Sequence, residues 1–149
     1  MTGVDVSPVA LDRAAAHAAG AGRDVAGRIT WQPVDVFAGE PLPGTFDLVT
    51  ASFLHLPRPQ LSEVHRGMAA AVRPGGTLLV VGHHPADHEG GPGHRLPELL
   101  FTPEEVVAAL EPTSWRIEVA EASTREAPGP DGDLRRLTDT VVRAVRLPG

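Results

Sequence analysis

The chain has no cysteine, so disulfides, thiolate metal sites and cysteine nucleophiles are excluded together. Lysine, asparagine and tyrosine are absent too, and all 13 basic residues are arginine. Those three missing types have A/T-rich codons, so a GC-rich coding sequence is the simplest account, ahead of thermostability or phosphate recognition. Aromatics are scarce. Trp31, Trp115, Phe37, Phe46, Phe53 and Phe101 are the whole set, which leaves the core to Val, Leu and Ala. No basic run occurs, and 13 basic against 19 acidic residues give a net charge of −6, which argues against a nucleic-acid partner. Apolar stretches last only a few residues, too short to span a membrane, and no charged-then-apolar leader opens the chain. A cytoplasmic protein is expected.

What is present suits one globular domain over residues 1–149, with 42% hydrophobic residues to build its core. Met1–Val6 is apolar and β-branched, hence a strand. Ser7-Pro8 then supplies an N-cap and a first-turn proline for a helix running through Leu11 to about Gly20. Ile29–Gln32 and Phe46–Ala51 read as further strands, the latter entered through the Pro41–Gly44 turn. Leu61, Val64, Met68 and Val72 share one face of a helix over 60–72, which Arg73-Pro74-Gly75-Gly76 ends as a turn. Thr77–Val81 has the unbroken apolar character of a strand buried on both faces. A Gly/Pro/His-rich loop over 83–97 precedes Thr102-Pro103-Glu104-Glu105, a capping box opening a helix to about Leu110. Two closing strands, 115–122 and 137–146, flank the loop 127–132. Alternating strands and helices predict an α/β layered fold with a mostly parallel sheet.

This order of segments resembles the class I S-adenosylmethionine-dependent methyltransferases, entered at their second strand. The segments that carry it are Gly3-Val4-Asp5-Val6-Ser7, Asp35-Val36, Phe46-Asp47-Leu48-Val49 and Val72-Arg73-Pro74-Gly75-Gly76-Thr77-Leu78, with the two closing strands as the family's antiparallel pair. The segment 82–110 is most similar to small-molecule methyltransferases of the tellurite-resistance type. The resemblance implies a Rossmann-like sheet, mostly parallel with a C-terminal antiparallel strand. It also implies S-adenosylmethionine as cofactor and a small-molecule methyl acceptor. The family's first strand and Gly-rich turn have no counterpart. Gly20-Ala21-Gly22 follows a helix and Gly90-Gly91-Pro92-Gly93 lies in a loop, whereas a cofactor turn must follow a strand. The fold is therefore expected to be N-terminally truncated. A misplaced start is the leading explanation, because GTG encodes valine internally and methionine at initiation. A true truncation, or a second chain supplying the unit, competes with it.

By the resemblance, Asp5 is the acid that accepts hydrogen bonds from the ribose hydroxyls and Val6 packs on the adenine. Asp35 takes the exocyclic amine, and Val36 offers its backbone N–H. Without it, Asp5 is simply a carboxylate favoured at a helix start, and Asp35 a residue that ends a strand. Ala51, Ser52 and Phe53 leave their strand beside the expected methyl-transfer site, where Ala51 touches cofactor and Ser52 and His55 are the catalytic candidates. Methyl transfer needs an oriented nucleophile and sometimes a base, and a histidine titrates near neutral pH. His55 fits that base or a loop histidine packed on the following helix. His83, His84, Asp87, His88, Glu89 and His94 are ligand types for zinc or iron, yet no H-E-x-x-H helix frames them. No metal is assigned. Substrate contact and a solvated loop are the other readings. Arg135, Arg136, Arg143 and Arg146 read as a solvated basic face. Two alternatives to the enzyme stay open: a non-catalytic remnant or interaction module of the same fold, and a histidine-loop metalloprotein.

Overall fold

The computed structural model describes residues 1–87, 96–128 and 132–149. They form two compact units, Met1–Leu42 and Pro43–Gly149.

In the first unit, β1 (Thr2–Asp5) and β2 (Thr30–Pro33) run parallel, with Gly3 opposite Trp31 and Asp5 opposite Pro33. Helix α1 (Pro8–Gly20) and the one-turn α2 (Arg23–Ala26) connect them. Ser7 caps α1 as expected, its Oγ accepting the Ala10 N–H at 3.3 Å. The short α2 left no periodic trace in the sequence. Gly3 is glycine for a steric reason: a Cβ there would lie 2.3 Å from the Trp31 ring. Gly22, at φ +115°, belongs to the turn that follows α1. The Gly90–Gly93 segment and its neighbours His88, Glu89 and His94 lie outside the described residues.

The second unit contains β3 (Phe46–Ser52), α3 (Arg58–Ala70), β4 (Val72–His83), α4 (Pro103–Val107), β5 (Trp115–Pro128) and β6 (Leu134–Arg146). Its sheet has the order β3-β4-β6-β5. β3 and β4 are parallel, and β6 lies antiparallel to both β4 and β5. The last strand thus inserts between its two predecessors in space.

Val72 is not the last apolar position of α3. It opens β4 and is fully buried, and α3 closes two residues earlier. Arg73–Gly76 is likewise not a turn between elements. Phe46 pairs with Val72 and Leu48 with Thr77, so Asp47 alone faces four residues of a bulge inside β4. Gly75 supplies the positive φ of +79° that the bulge requires, and Arg73 pairs with Asp47.

Leu78, Val80, Val142 and Ala144 face the helices and are at most 1% exposed. On the opposite face Thr77, Leu79 and Val81 are only half-buried, so β4 is not covered equally on both sides. The cause is that α3 and α4 pack on one face, where Leu61, Val64, Met68, Phe101 and Val106 complete the core. The capping box of α4 is fully formed. Both closing strands run further than expected, to Pro128 and from Leu134. The basic C-terminus is not a uniform solvated face either. Arg143 pairs with Glu118 at 2.5 Å, and Arg146 donates to the carbonyls of Val72 and Ala70.

Candidate functional site

In the first unit, two carboxylates stand at the carboxyl ends of neighbouring parallel strands. Asp5 is the last residue of β1, and its main-chain carbonyl accepts the Val34 N–H at 3.2 Å, just past the end of β2. Asp5 Oδ1 accepts the Ser7 N–H at 2.8 Å, which turns the carboxylate back over the start of α1. Asp35 Oδ1 accepts the N–H groups of Phe37 and Ala38, both at 3.0 Å, while the Asp35 N–H is taken by Glu40 Oε2 at 2.8 Å. Asp35 is therefore both a turn former and a candidate ligand-binding acid. The structure brings Asp5, Val6, Asp35 and Val36 to one edge of this two-stranded sheet.

These residues suit a nucleoside. Val6 is 59% exposed, an apolar side chain standing in the open beside the Asp5 carboxylate. A flat ring over Val6 and hydroxyls on Asp5 would satisfy both. The crevice outside the carboxyl ends of parallel strands is where open α/β sheets take such ligands.

In the second unit the carboxyl ends of β3 and β4 lie side by side, with Ala51 opposite Val80 and Ser52 opposite Val81. The chain leaves β3 at Phe53, whose N–H donates to the Val81 carbonyl at 2.7 Å. Phe53 is the one non-glycine residue at positive φ among those described, at +58°. Such strain in an L-residue is held in place by its surroundings and concentrates at functional sites. Its ring lies 4.8 Å from that of His83 and 6.4 Å from that of His55, and the Arg125 guanidinium stands 5.8 Å above it. His55 and His83 stack at 5.1 Å, nearly parallel, and His55 Nε2 accepts the His83 N–H at 3.5 Å.

His83 is thus the last residue of β4 and not part of a loop. Its Nδ1 is 3.3 Å from Asp139 Oδ1, and Arg125 Nε donates to Asp139 Oδ2 at 2.5 Å. Asp139 is 5% exposed. The sequence reading missed Asp139 and Arg125. The available signal was the polar run Thr138-Asp139-Thr140 ahead of Val141-Val142, an ionisable residue in a strand otherwise patterned for burial.

Of the other metal-type residues, His84 Nδ1 accepts the Ala86 N–H at 3.0 Å and so shapes the 3₁₀ turn Pro85–Asp87. Among the described residues no three histidines, aspartates or glutamates gather to hold a metal ion. Nor, among them, is any helix long and apolar enough to cross a membrane.

One unit thus ends its parallel strands in carboxylates, and the other ends its parallel pair in a histidine–aromatic cluster. A family model described as a methyltransferase domain matches residues 1–76. The chain belongs to that family, the class I S-adenosylmethionine-dependent methyltransferases. Three solved structures show the same fold. The N-methyltransferase NodS from Bradyrhizobium japonicum is 19% identical with a TM-score of 0.67, covering 99% of this chain and 73% of its own. It has also been crystallised with S-adenosyl-L-homocysteine. A SAM-dependent methyltransferase from Methanosarcina mazei is 17% identical with a TM-score of 0.72, covering 99% of this chain and 82% of its own. TehB from Haemophilus influenzae is 16% identical with a TM-score of 0.72, and the 99% of this chain that is covered spans 49% of TehB. No curated protein matches in sequence.

Proposed function

We propose that this chain transfers a methyl group from S-adenosylmethionine to a small-molecule acceptor in the cytoplasm. The observation that carries the reading is the pair of carboxylates, Asp5 and Asp35, at the carboxyl ends of adjacent parallel strands. When bound, the cofactor supplies a methyl group already activated by a sulfonium charge. Asp5 accepts hydrogen bonds from the two ribose hydroxyls through the carboxylate that Ser7 orients. Val6 packs on the adenine. Asp35 accepts from the exocyclic amine, and the Val36 N–H serves the ring edge. By the same reading Ala51, near the end of β3, is a cofactor residue, and Ser52 and His55 are the catalytic candidates for the acceptor. For such an in-line displacement, orientation of the nucleophile is the larger part of the protein's task, with proton removal added where the acceptor demands it.

Calorimetric titration of the full chain with S-adenosylhomocysteine tests this. Asp5→Asn keeps the oxygen that accepts from Ser7 and removes the charge, so affinity should drop about 10-fold or more, as for a charged hydrogen bond. Absence of binding by the parent chain would leave a non-catalytic remnant of the fold.

A further inference from the structure

We infer that Arg125, anchored on Asp139 over the Phe53 ring, is a recognition site for the carboxylate of a monoanionic organic ligand. The inference concerns the second unit alone and stands whether or not the chain transfers methyl groups.

Strand register builds the anchor. His83 and Asp139 are direct partners in the antiparallel β4–β6 ladder, and Asp139 is at the same time opposite Ser123 of β5. Arg125 stands two residues further along β5, at the diagonal that a long side chain reaches. The Asp139 side chain is 7% exposed, so its oxygens need partners inside the protein. His83 Nδ1 lies at Oδ1, and Arg125 Nε donates to Oδ2 at 2.5 Å.

That contact engages one nitrogen of three. The terminal Nη1 and Nη2 groups of a guanidinium carry the remaining N–H donors, and among the described residues no hydrogen-bond acceptor takes them from Arg125. The Arg125 side chain is 41% exposed, and the Phe53 ring, 5.8 Å from its Cζ, is open to solvent as well. Phe53 is itself fixed, at φ +58° with its N–H donating to the Val81 carbonyl at 2.7 Å. A loose surface arginine loses rotamer freedom when it grips an anion. Here Asp139 holds Nε and Phe53 flanks the guanidinium, so that cost falls in folding and not in binding.

The two terminal nitrogens match the paired oxygens of a carboxylate, bonded side by side. Charge selects the monoanion. Arg125 and Asp139 are neutral together, so each negative charge on a ligand also meets the Asp139 carboxylate. A carboxylate meets that repulsion once and a phosphate dianion twice, in a chain already at −6. The exposed Phe53 ring favours a flat, apolar substituent on the ligand. Benzoate is therefore the probe.

NMR of the full chain at pH 7 and fixed ionic strength reads the site, with the Arg125 Nε–H and Phe53 ring protons assigned through bonds in the parent. Millimolar benzoate should shift both saturably, while benzamide, of the same shape without the charge, should shift neither. Arg125→Lys keeps a cation for Asp139 but loses the paired donors, and should bind benzoate about 10-fold or more weakly, as for a lost charged hydrogen bond. Arg125 signals that do not move with benzoate overturn the proposal and need no folded variant to do so. Equal binding by Arg125→Lys overturns it too, leaving Arg125 only the counter-ion of Asp139. Phenyl phosphate bound more tightly than benzoate overturns the carboxylate assignment, as does an equal response to benzamide. S-adenosylhomocysteine binding, measured on the same samples, scores the methyl-transfer reading separately, because Arg125, Asp139 and Phe53 are not among the residues assigned to the cofactor.

Discussion

Phe101 lies against Gly82, so close that a Cβ on Gly82 would fall 2.3 Å from Phe101 Cζ and 2.6 Å from Cε1. Gly82 is the residue immediately before His83, and Phe101 is 1% exposed, so the absent side chain is filled by the ring of another segment. Gly82→Ala overpacks this contact and should cost about 1–3 kcal/mol of stability. Phe101→Leu carries its own cost, but the two changes should couple, the double variant losing less than the sum of the singles. Urea unfolding of the four chains checks this, and strict additivity would contradict the steric account.

His65 is a second buried feature with a measurable signature. It is 2% exposed on α3, with its ring edge-on to Phe101 at 5.6 Å. Burial lowers its pKa from the usual histidine value to about 4. The unfolded chain titrates near 6.5, so between pH 6.5 and 4 the unfolded state binds the additional proton. The contribution is complete above about pH 6.5 and is lost progressively as pH falls towards 4, up to about 3 kcal/mol in total. His65→Leu should flatten the stability profile over that window, as measured by urea midpoints at pH 7 and pH 4.5. An equal slope in both chains would remove His65 as its source.

What the sequence made legible was local. Ser7-Pro8 and Thr102–Glu105 are capping patterns whose meaning lies within four residues, and both formed as read. Arg73–Gly76 was misread because a bulge and a turn share the same Pro/Gly chemistry. Only the pairing of Phe46 and Leu48 on both sides of it distinguishes them. The outer ends of β5 and β6 escaped notice because residues 123–128 and 134–136 are mostly polar, and the outermost of them, 126–128 and 134–136, pair with one another. On the candidate site, the strand ends at Asp5, Asp35 and Ser52 are local signals, and the family resemblance is what marked them as site residues. Asp139 and Arg125 could not be placed that way, since each meets His83 or its partner through strand register, which joins residues 56 and 14 positions apart.

The capping box of α4 offers a comparison between two kinds of polar contact. Thr102 Oγ1 accepts the Glu105 N–H at 3.4 Å, and Glu105 Oε2 accepts the Thr102 N–H at 2.8 Å. Glu105 Oε1 also pairs with Arg58 at 2.6 Å, but Arg58 is 51% exposed and solvent screens the pair. Burial raises the Glu105 pKa, and the contacts with Arg58 and Thr102 outweigh it to leave it lowered. Thr102→Ala should therefore cost about 1 kcal/mol and Arg58→Ala clearly less. Thermal unfolding ranks them, and the reverse order would mean that the ion pair, not the cap, holds the start of α4.

Asp35 has to form a turn and, in the proposed function, to read an adenine, and the two roles separate by chemistry. Its Oδ1 is taken by the N–H groups of Phe37 and Ala38. The second oxygen is then the one to accept the exocyclic amine. Asp35→Asn retains a carbonyl for the turn and presents an amide NH₂ where the amine would approach, donor against donor. Its unfolding midpoint should stay close to that of the parent while S-adenosylhomocysteine binds about 10-fold more weakly, the effect of one lost hydrogen bond of about 1.4 kcal/mol. Asp35→Ala loses the turn as well and should fall in both measurements. S-inosylhomocysteine, which carries an accepting carbonyl oxygen where the amine stood, should reverse the order and bind Asp35→Asn more tightly than the parent, because the amide NH₂ donates to that oxygen and the carboxylate opposes it. If Asp35→Asn binds S-adenosylhomocysteine as tightly as the parent, Asp35 forms the turn and does not touch the base.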